Sequence, residues 1–179
     1  MGCLNLWPVL TLLFQGAVAG LIVMFVTKWL DNKKAKEVTR KHAMLLYIEI
    51  NEHLVVMDRI LKHNHVSEPS TSLHLDTEAW KSSREHLTGL SLDDLKHLGS
   101  YYRSIKQLNY LIAEMPGPLS QTTQHSFEMA SLMARASFYL LARVWDYKNS
   151  RIHDEHYREF LAQATAYQEK YLKSRLIEK

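Results

Sequence analysis

The histidines of this 179-residue chain come closest to a chemical site by type and spacing. His153 and His156 are three positions apart, so they share one face if the segment is helical. His53, His63 and His65 lie together near the end of another helical stretch. Clustered imidazoles are common ligands of zinc and other transition metals. A metal site is therefore the first hypothesis that these residues raise.

The remaining parts of a known metal site are absent from the sequence. Carboxylate di-metal sites in helical bundles require Glu-x-x-His twice, and that motif does not occur here even once. His-Glu-x-x-His is also absent, and the single cysteine, Cys3, allows neither a cysteine ligand set nor an internal disulfide. We therefore expect exposed, solvated histidines, and we predict no metal site, no cofactor and no catalytic residue.

Nuclease chemistry is a second hypothesis. Helical ribonucleases of the HEPN type carry an arginine followed four to six residues later by a histidine, as Arg59 with His65 and Arg151 with His156 do. Random placement of the arginines and histidines of this chain yields about as many pairs, so the match carries no signal. Neither a G-x-S-x-G nucleophile motif nor a Walker-type glycine loop is present. A metal-dependent or HEPN-like hydrolase is thus only the third functional hypothesis.

The elements that would position these residues are helices. From Asn32 to His63 there is no proline or glycine, and the apolar residues recur at helical spacing. They form two lines, so we expect a helix that several partners bury. The first line is Val38, Leu45, Ile48 and Val55, and the second is Leu46, Ile50, Leu54, Met57 and Leu61.

Capping and breaking residues divide the rest of the chain. Asp76 is suited to cap a short helix from Thr77 to about Leu87, and Ser91 with Asp94 resembles a capping box. No helix passes through the segment 116–118, which is Pro-Gly-Pro, and Ser120 starts the next one. A last helix follows Ser150. The pattern predicts an all-α fold with a bundle of about four or five helices.

The later helices carry further predictions. Trp145 extends the inner face of the helix that follows Ser120, so we expect it to be buried. Arg135 and Arg143 lie on the same otherwise apolar helix, while Glu49 and Asp58 lie on the first one. An ion pair that sets the register of the two helices is a better interpretation of these residues than catalysis.

An apolar run from Leu4 to Leu30, with no charged residue before Lys28, precedes the bundle. It has the length of a membrane span of about 20 residues, and Trp7 and Trp29 are placed as interfacial anchors. The run predicts an N-terminal transmembrane helix. The basic residues that follow it place the N-terminus outside and the large C-terminal part in the cytoplasm of an inner membrane. The nearest of them are Lys28, Lys33, Lys34 and Lys36.

Two other interpretations of this run are weaker. Ala17-Val18-Ala19 resembles a signal-peptide cleavage site, but a basic n-region is missing and the apolar run continues beyond it. Met1-Gly2-Cys3 resembles a lipidation start, but Leu6 stands where myristoylation requires Ser or Thr. Gly16 and Gly20 form a GxxxG pair, which predicts association between transmembrane helices.

The domain prediction is a transmembrane anchor over 1–31 and a cytoplasmic helical domain over 32–179. Residues 1–41 carry six basic and two acidic residues, so the basic character of the chain belongs to the membrane flank and gives no reason to expect a nucleic acid. The leading hypothesis is a non-enzymatic interaction protein on the lipid bilayer, such as an assembly factor, a regulator or a bacterial defence component. It binds a protein partner or itself. The alternative is a membrane-perturbing oligomeric effector.

Overall fold

The computed structural model describes residues 7–66, 75–114 and 117–177; side chains are described from Gly20 to Ser174 within these ranges, except at Tyr147. The described residues form five α-helices and two 3-10 turns, which confirms the all-α prediction. The helices are α1 (Trp7–His63), α2 (Glu78–Ser83), α3 (Leu92–Glu114), α4 (Gln121–Trp145) and α5 (Ser150–Ile177), and the turns are Arg84–His86 and Tyr147–Asn149.

One short pairing of extended residues was not predicted. Strand β1 (His65–Val66) pairs antiparallel with β2 (Gly117–Pro118), with His65 opposite Pro118. Gly117 has a φ of 132°, a conformation that side chains rarely adopt. The pairing joins the end of α1 to the connection between α3 and α4. The Pro-Gly-Pro sequence does separate these two helices, although Pro116 itself lies outside the described residues.

The chain divides into two compact units, Met1–Val38 and Thr39–Lys179. In the first unit the described residues are the beginning of α1. The second unit contains the rest of α1 and the other helices, with a shared apolar core. The predicted boundary between residues 31 and 32 stays a prediction.

The transmembrane prediction is wrong as judged on the described residues, where no helix is both long enough and apolar enough to cross a membrane. In the part of α1 with described side chains, the uncharged residues run from Gly20 to Thr27, and the charges of Lys28, Asp31 and Lys33 follow at once. A span needs about 20 apolar residues. Single-pass localisation in an inner membrane is corrected with it, while the membrane-perturbing hypothesis stays a prediction.

The residues predicted to anchor that span are placed as follows. Trp29 is 61% exposed, and the Nζ atom of Lys33 lies 5.6 Å from the centroid of its ring. The side chains of Lys28, Lys34 and Lys36 are exposed. A Cβ atom added to Gly20 would meet no atom within 4 Å. The side chain of Trp7 and the surroundings of Gly16 lie outside the described residues, so association through the glycine pair stays a prediction.

The core of the second unit is built from the inner faces of α1, α3 and α4. Two N-terminal caps position these helices as predicted. The amide of Asp94 donates to Ser91 Oγ over 3.1 Å, and the amide of Thr123 donates to Ser120 Oγ over 3.1 Å. The largest buried side chains of this core include Leu46, Ile50, Met57, Leu98, Tyr101, Tyr102, Ile105, Leu108, Phe127 and Leu140.

Only one of the two apolar lines on α1 is covered. Leu46, Ile50 and Met57 of the second line are fully buried, whereas Leu45 and Ile48 of the first line are 50% and 46% exposed. The expectation that partners bury both lines is therefore wrong. The physical reason is that α2, α3 and α4 cover one side of α1 and leave the opposite side open.

The residues predicted to face the core in α4 are buried, except at the end of the helix. The predicted inner residues of α4 are buried at Phe127, Ala130, Ala134, Ser137 and Leu141. Trp145, at the last position of the helix, is only half-buried, and its ring meets that of Tyr47 edge-on at a centroid distance of 5.3 Å.

Candidate functional site

Four polar and aromatic side chains from α1 and α3 meet inside the second unit. We call Glu49, His53, Tyr101 and Tyr102 the buried cluster. The Nδ1 atom of His53 lies 2.7 Å from the hydroxyl oxygen of Tyr101, and its Nε2 atom lies 2.6 Å from the carbonyl oxygen of Asp76. The carboxylate of Glu49 accepts a hydrogen bond from the backbone amide of Ala79 over 2.8 Å.

Burial governs the electrostatics of this cluster. It raises the pKa of the Glu49 carboxyl, and the hydrogen bond from the backbone amide of Ala79 opposes this in part. It also raises the pKa of both tyrosines, and the nearby Glu49 charge raises them further. Both phenols therefore stay protonated at neutral pH and are able to donate hydrogen bonds.

The cluster belongs to a longer contact between α1 and the segment 76–86, which contains α2. Going along α1, Thr39 Oγ1 donates to the carbonyl of His86, and the Nδ1 atom of His42 lies 3.0 Å from the Ser83 hydroxyl. Glu49 then binds Ala79, and His53 binds Asp76. The partners run in the opposite direction to α1, so four side chains of one helix hold the segment in antiparallel order.

The cluster combines acid, base and phenol, but it is closed to a substrate. Glu49 is 5% exposed, His53 is 2% exposed, and the two tyrosines are 0% and 1% exposed. Buried polar groups are usually satisfied inside the protein, and here Glu49 and His53 bind backbone groups of the segment 76–86. The arrangement therefore attaches that segment to α1.

An open site lies between α3 and α4. A groove of about 590 Å³ separates these helices, and we call it the α3–α4 groove. Arg103, Lys106 and Tyr110 follow one another along α3 at intervals of three and four residues, so they form one edge. Met129 of α4 contributes to the opposite side, and the buried side chain of Leu108 lies at the floor.

The charge of this groove is not neutralised. Across the described ranges, neither Arg103 nor Lys106 forms an ion pair. Both are exposed, and Tyr110 beside them is 66% exposed. By contrast, Arg143 donates to Asp94 and to Asp154, each over 2.8 Å, and so ties α3, α4 and α5 together. The cations of the groove are thus available for a ligand.

The structure separates the histidines that the sequence grouped. His53 is buried in the cluster, which contradicts the expectation that it is exposed, while His63 and His65 are exposed. His153 lies 3.3 Å from Asp146, and the ring of His156 lies tilted beside that of Tyr139, at a centroid distance of 4.8 Å. Within the described part of the chain, no group of three or more potential metal ligands comes together.

The arginines are also placed differently from the hypotheses. Arg151 is 92% exposed on its side chain and pairs with Glu155, whereas His156 lies beside Glu159. Arg135 does pair with Asp58 over 3.0 Å, which links α4 to α1, but the pair is largely exposed rather than buried.

No family model matches this chain, and no curated protein or solved structure matches it either. The site must therefore be argued from its own residues. Arg103, Lys106 and Tyr110 were missed at the level of sequence. Their spacing of three and four residues on one helix was the available signal, but surface cations on helices are too common for it to stand out.

Proposed function

We propose that this chain is a non-enzymatic interaction protein that binds a segment of a protein partner in the α3–α4 groove. The observation that carries the proposal is the line of two unpaired cations and an exposed tyrosine above an apolar floor. Such a groove suits a segment that presents carboxylates next to an apolar side chain.

The cations favour an acidic partner for a physical reason. Arginine and lysine bind carboxylates through charge-assisted hydrogen bonds, which are about twice as strong as neutral ones. Because Arg103 and Lys106 form no ion pair within the described residues, a ligand does not need to displace one. Binding therefore gains the full interaction of both cations.

The aromatic and apolar side chains supply the rest of the interaction. Tyrosine and arginine are among the residues that most often dominate binding energy at protein interfaces. Tyr110 is 66% exposed, so most of its ring surface is free to be covered. Met129, on the other side, has a flexible side chain that adapts to different apolar ligands.

The length of the groove favours a peptide segment. Arg103 and Tyr110 are seven residues apart on α3, which corresponds to about 10 Å along the helix axis. That distance matches about two turns of a helical ligand or about three residues of an extended one. A chain with acidic and apolar residues at such intervals contacts the cations and the floor together.

The test is a selection of peptides against the full chain. A library of random peptides displayed on phage is panned on the wild type, and the enriched sequences are synthesised and measured by fluorescence anisotropy. We expect sequences that combine Asp or Glu with an apolar residue. The variant Arg103→Glu/Lys106→Glu should bind these peptides at least about tenfold more weakly, because attraction becomes repulsion.

The matched control is Lys148→Glu/Lys170→Glu, which makes the same change of net charge at two exposed lysines away from the groove. It should bind the peptides almost as the wild type does. The proposal fails if no acidic and apolar sequences are enriched, or if both double variants weaken binding equally. Equal weakening would mean that only the overall charge matters.

A further inference from the structure

A second surface lies on α1 and remains uncovered in the second unit. We call Lys41, Met44, Leu45, Ile48, Glu52 and Val55 the α1 stripe. The four apolar members are between 46% and 53% exposed, and both charged members are exposed as well. They follow the same side of the helix, so the apolar surface is continuous rather than scattered.

The spacing of this stripe is that of a coiled-coil seam. Lys41, Leu45, Ile48, Glu52 and Val55 are separated by alternating intervals of four and three residues. This is the a and d pattern of a heptad, in which side chains of one helix pack between those of another. Apolar side chains at these positions contribute little stability unless a second helix covers them.

We propose that the α1 stripe is the contact surface between two copies of this chain, with their α1 helices packed antiparallel. When Leu45 of one copy is placed against Ile48 of the second copy, two-fold symmetry also places Ile48 against Leu45. In the same register Lys41 lies opposite Glu52 of the second copy, and the reverse pair forms as well. The surface is therefore complementary to itself, as a two-fold interface requires.

The charges select this direction of packing. Across the antiparallel seam they form two opposite-charge pairs, which favour the contact. A parallel pair in register would instead place Lys41 against Lys41 and Glu52 against Glu52, and like charges at such positions are unfavourable. The two residues are eleven positions apart, about 16 Å along one helix, so they do not pair within a single chain.

The size of the surface agrees with a reversible dimer. The exposed parts of the four apolar side chains amount to roughly 350 Å² per copy, which is the size of the largest apolar patches on monomeric proteins. Two copies therefore cover roughly 700 Å² of apolar surface, which is below the range of about 1,200–2,000 Å² for stable interfaces and suits a weak, reversible contact. We therefore expect dissociation in the micromolar range.

Sedimentation velocity of the full chain over a concentration series tests the dimer. The wild type should shift from monomer to dimer as its concentration rises to roughly 100 µM, as expected for a micromolar contact. Ile48→Glu should weaken the dimer at least about tenfold, since it buries a charge at the centre of the seam. A wild type that stays monomeric throughout, or an Ile48→Glu variant that dimerises equally well, overturns the proposal.

Charge exchange tests the register. Lys41→Glu and Glu52→Lys should each weaken the dimer, because each creates two like-charge contacts. The double variant Lys41→Glu/Glu52→Lys restores both pairs and should dimerise about as well as the wild type. A double variant as weak as the single ones contradicts the antiparallel register. Circular dichroism of each variant should match the wild type, since the substituted residues are exposed.

The direction is checked independently by cross-linking in a Cys3→Ser background. A mixture of Leu45→Cys and Ile48→Cys chains should form a disulfide between the two variants under mild oxidation, because these positions face each other. Leu45→Cys alone should form less, whereas a parallel dimer would make it the stronger product. This outcome would reverse the proposed orientation.

The inference does not depend on the α3–α4 groove. Ile48→Glu should leave binding of the selected peptides unchanged, and Arg103→Glu/Lys106→Glu should leave the dimer unchanged. The failure of either proposal is therefore recognised separately from the failure of the other.

Discussion

The buried cluster and the α3–α4 groove contain similar kinds of side chains but differ in what those side chains bind. In the cluster, the polar atoms of Glu49 and His53 bind backbone groups of the same chain, and all four members are nearly inaccessible. In the groove, Arg103 and Lys106 lie in solvent without an ion-pair partner among the described residues.

The difference shows why residue type alone does not identify a functional site. A glutamate, a histidine and two tyrosines in contact resemble an acid–base site. Because they are buried, however, their role is to attach the segment 76–86 to α1. Arg103 and Lys106 are common surface residues, yet they form no ion pair within the described residues and so are available to bind a ligand. The comparison predicts that substitutions in the cluster change stability, while substitutions in the groove change binding.

The largest effect is expected for Tyr102→Ala. Tyr102 is 1% exposed, and its ring stacks on that of Trp80 at a centroid distance of 4.8 Å. Removing a buried aromatic side chain costs about 3–5 kcal/mol in the free energy of unfolding. Denaturant titration of the full chain measures it. Tyr110→Ala, at an exposed tyrosine of the groove, is the control and should cost under about 0.5 kcal/mol.

A smaller effect is expected for Tyr101→Phe. The substitution keeps the ring but removes the hydroxyl group that lies 2.7 Å from His53 Nδ1. Losing a buried hydrogen-bond partner costs about 1–3 kcal/mol. The same substitution should cost less in a His53→Leu background, as measured by a double-mutant cycle. Equal costs in both backgrounds would mean that this hydrogen bond does not stabilise the cluster.

Glu49→Gln should alter the pH dependence of stability. Because burial raises the pKa of Glu49 above its ordinary value of 4.5, the folded protein favours the protonated carboxyl. The stability contributed by this group is present below pH 4.5 and is lost as the pH rises through the raised pKa. The loss amounts to about 1.4 kcal/mol for each unit of elevation. Chemical unfolding at several pH values should show this decline in the wild type and not in Glu49→Gln.

The smallest effect on stability is expected in the groove. Arg103→Ala/Lys106→Ala removes two exposed cations that have no ion-pair partner in the described residues, so unfolding should change by less than about 0.5 kcal/mol. Peptides selected on the groove should nevertheless lose affinity. A destabilisation as large as that of Tyr101→Phe would mean that Arg103 and Lys106 stabilise the fold, as the cluster does, and would contradict the comparison.

Local signals in the sequence predicted much of the fold. The caps at Ser91 and Ser120 involve residues three positions apart, and the Pro-Gly-Pro break acts through the backbone itself, so no distant contact was needed to find them. Helix positions and most inner faces followed from the same short-range rules.

Contacts between distant residues explain what the sequence could not predict. Leu45 and Leu46 differ in exposure by half of the side chain, although both belong to lines of helical spacing. Which line is covered depends on where the other helices pack. His53 was expected in solvent for the same reason, because its partner Tyr101 lies 48 residues away. The membrane interpretation rested on the length of an apolar run, but no helix among the described residues is long and apolar enough to span a membrane.

Because segment 76–86 is attached to α1, hydrogen exchange at one backbone amide, that of Ala79, reports when the segment detaches. Helix α2 has only six residues, too few for a helix to persist alone, so the Ala79 amide is protected only while Glu49 holds it. Its deuterium uptake thus measures how often the segment detaches while α3 and α4 remain folded. Contacts at both ends, Thr39 with His86 and His53 with Asp76, make detachment a concerted opening, so the protected amides of the segment should report one common free energy of opening.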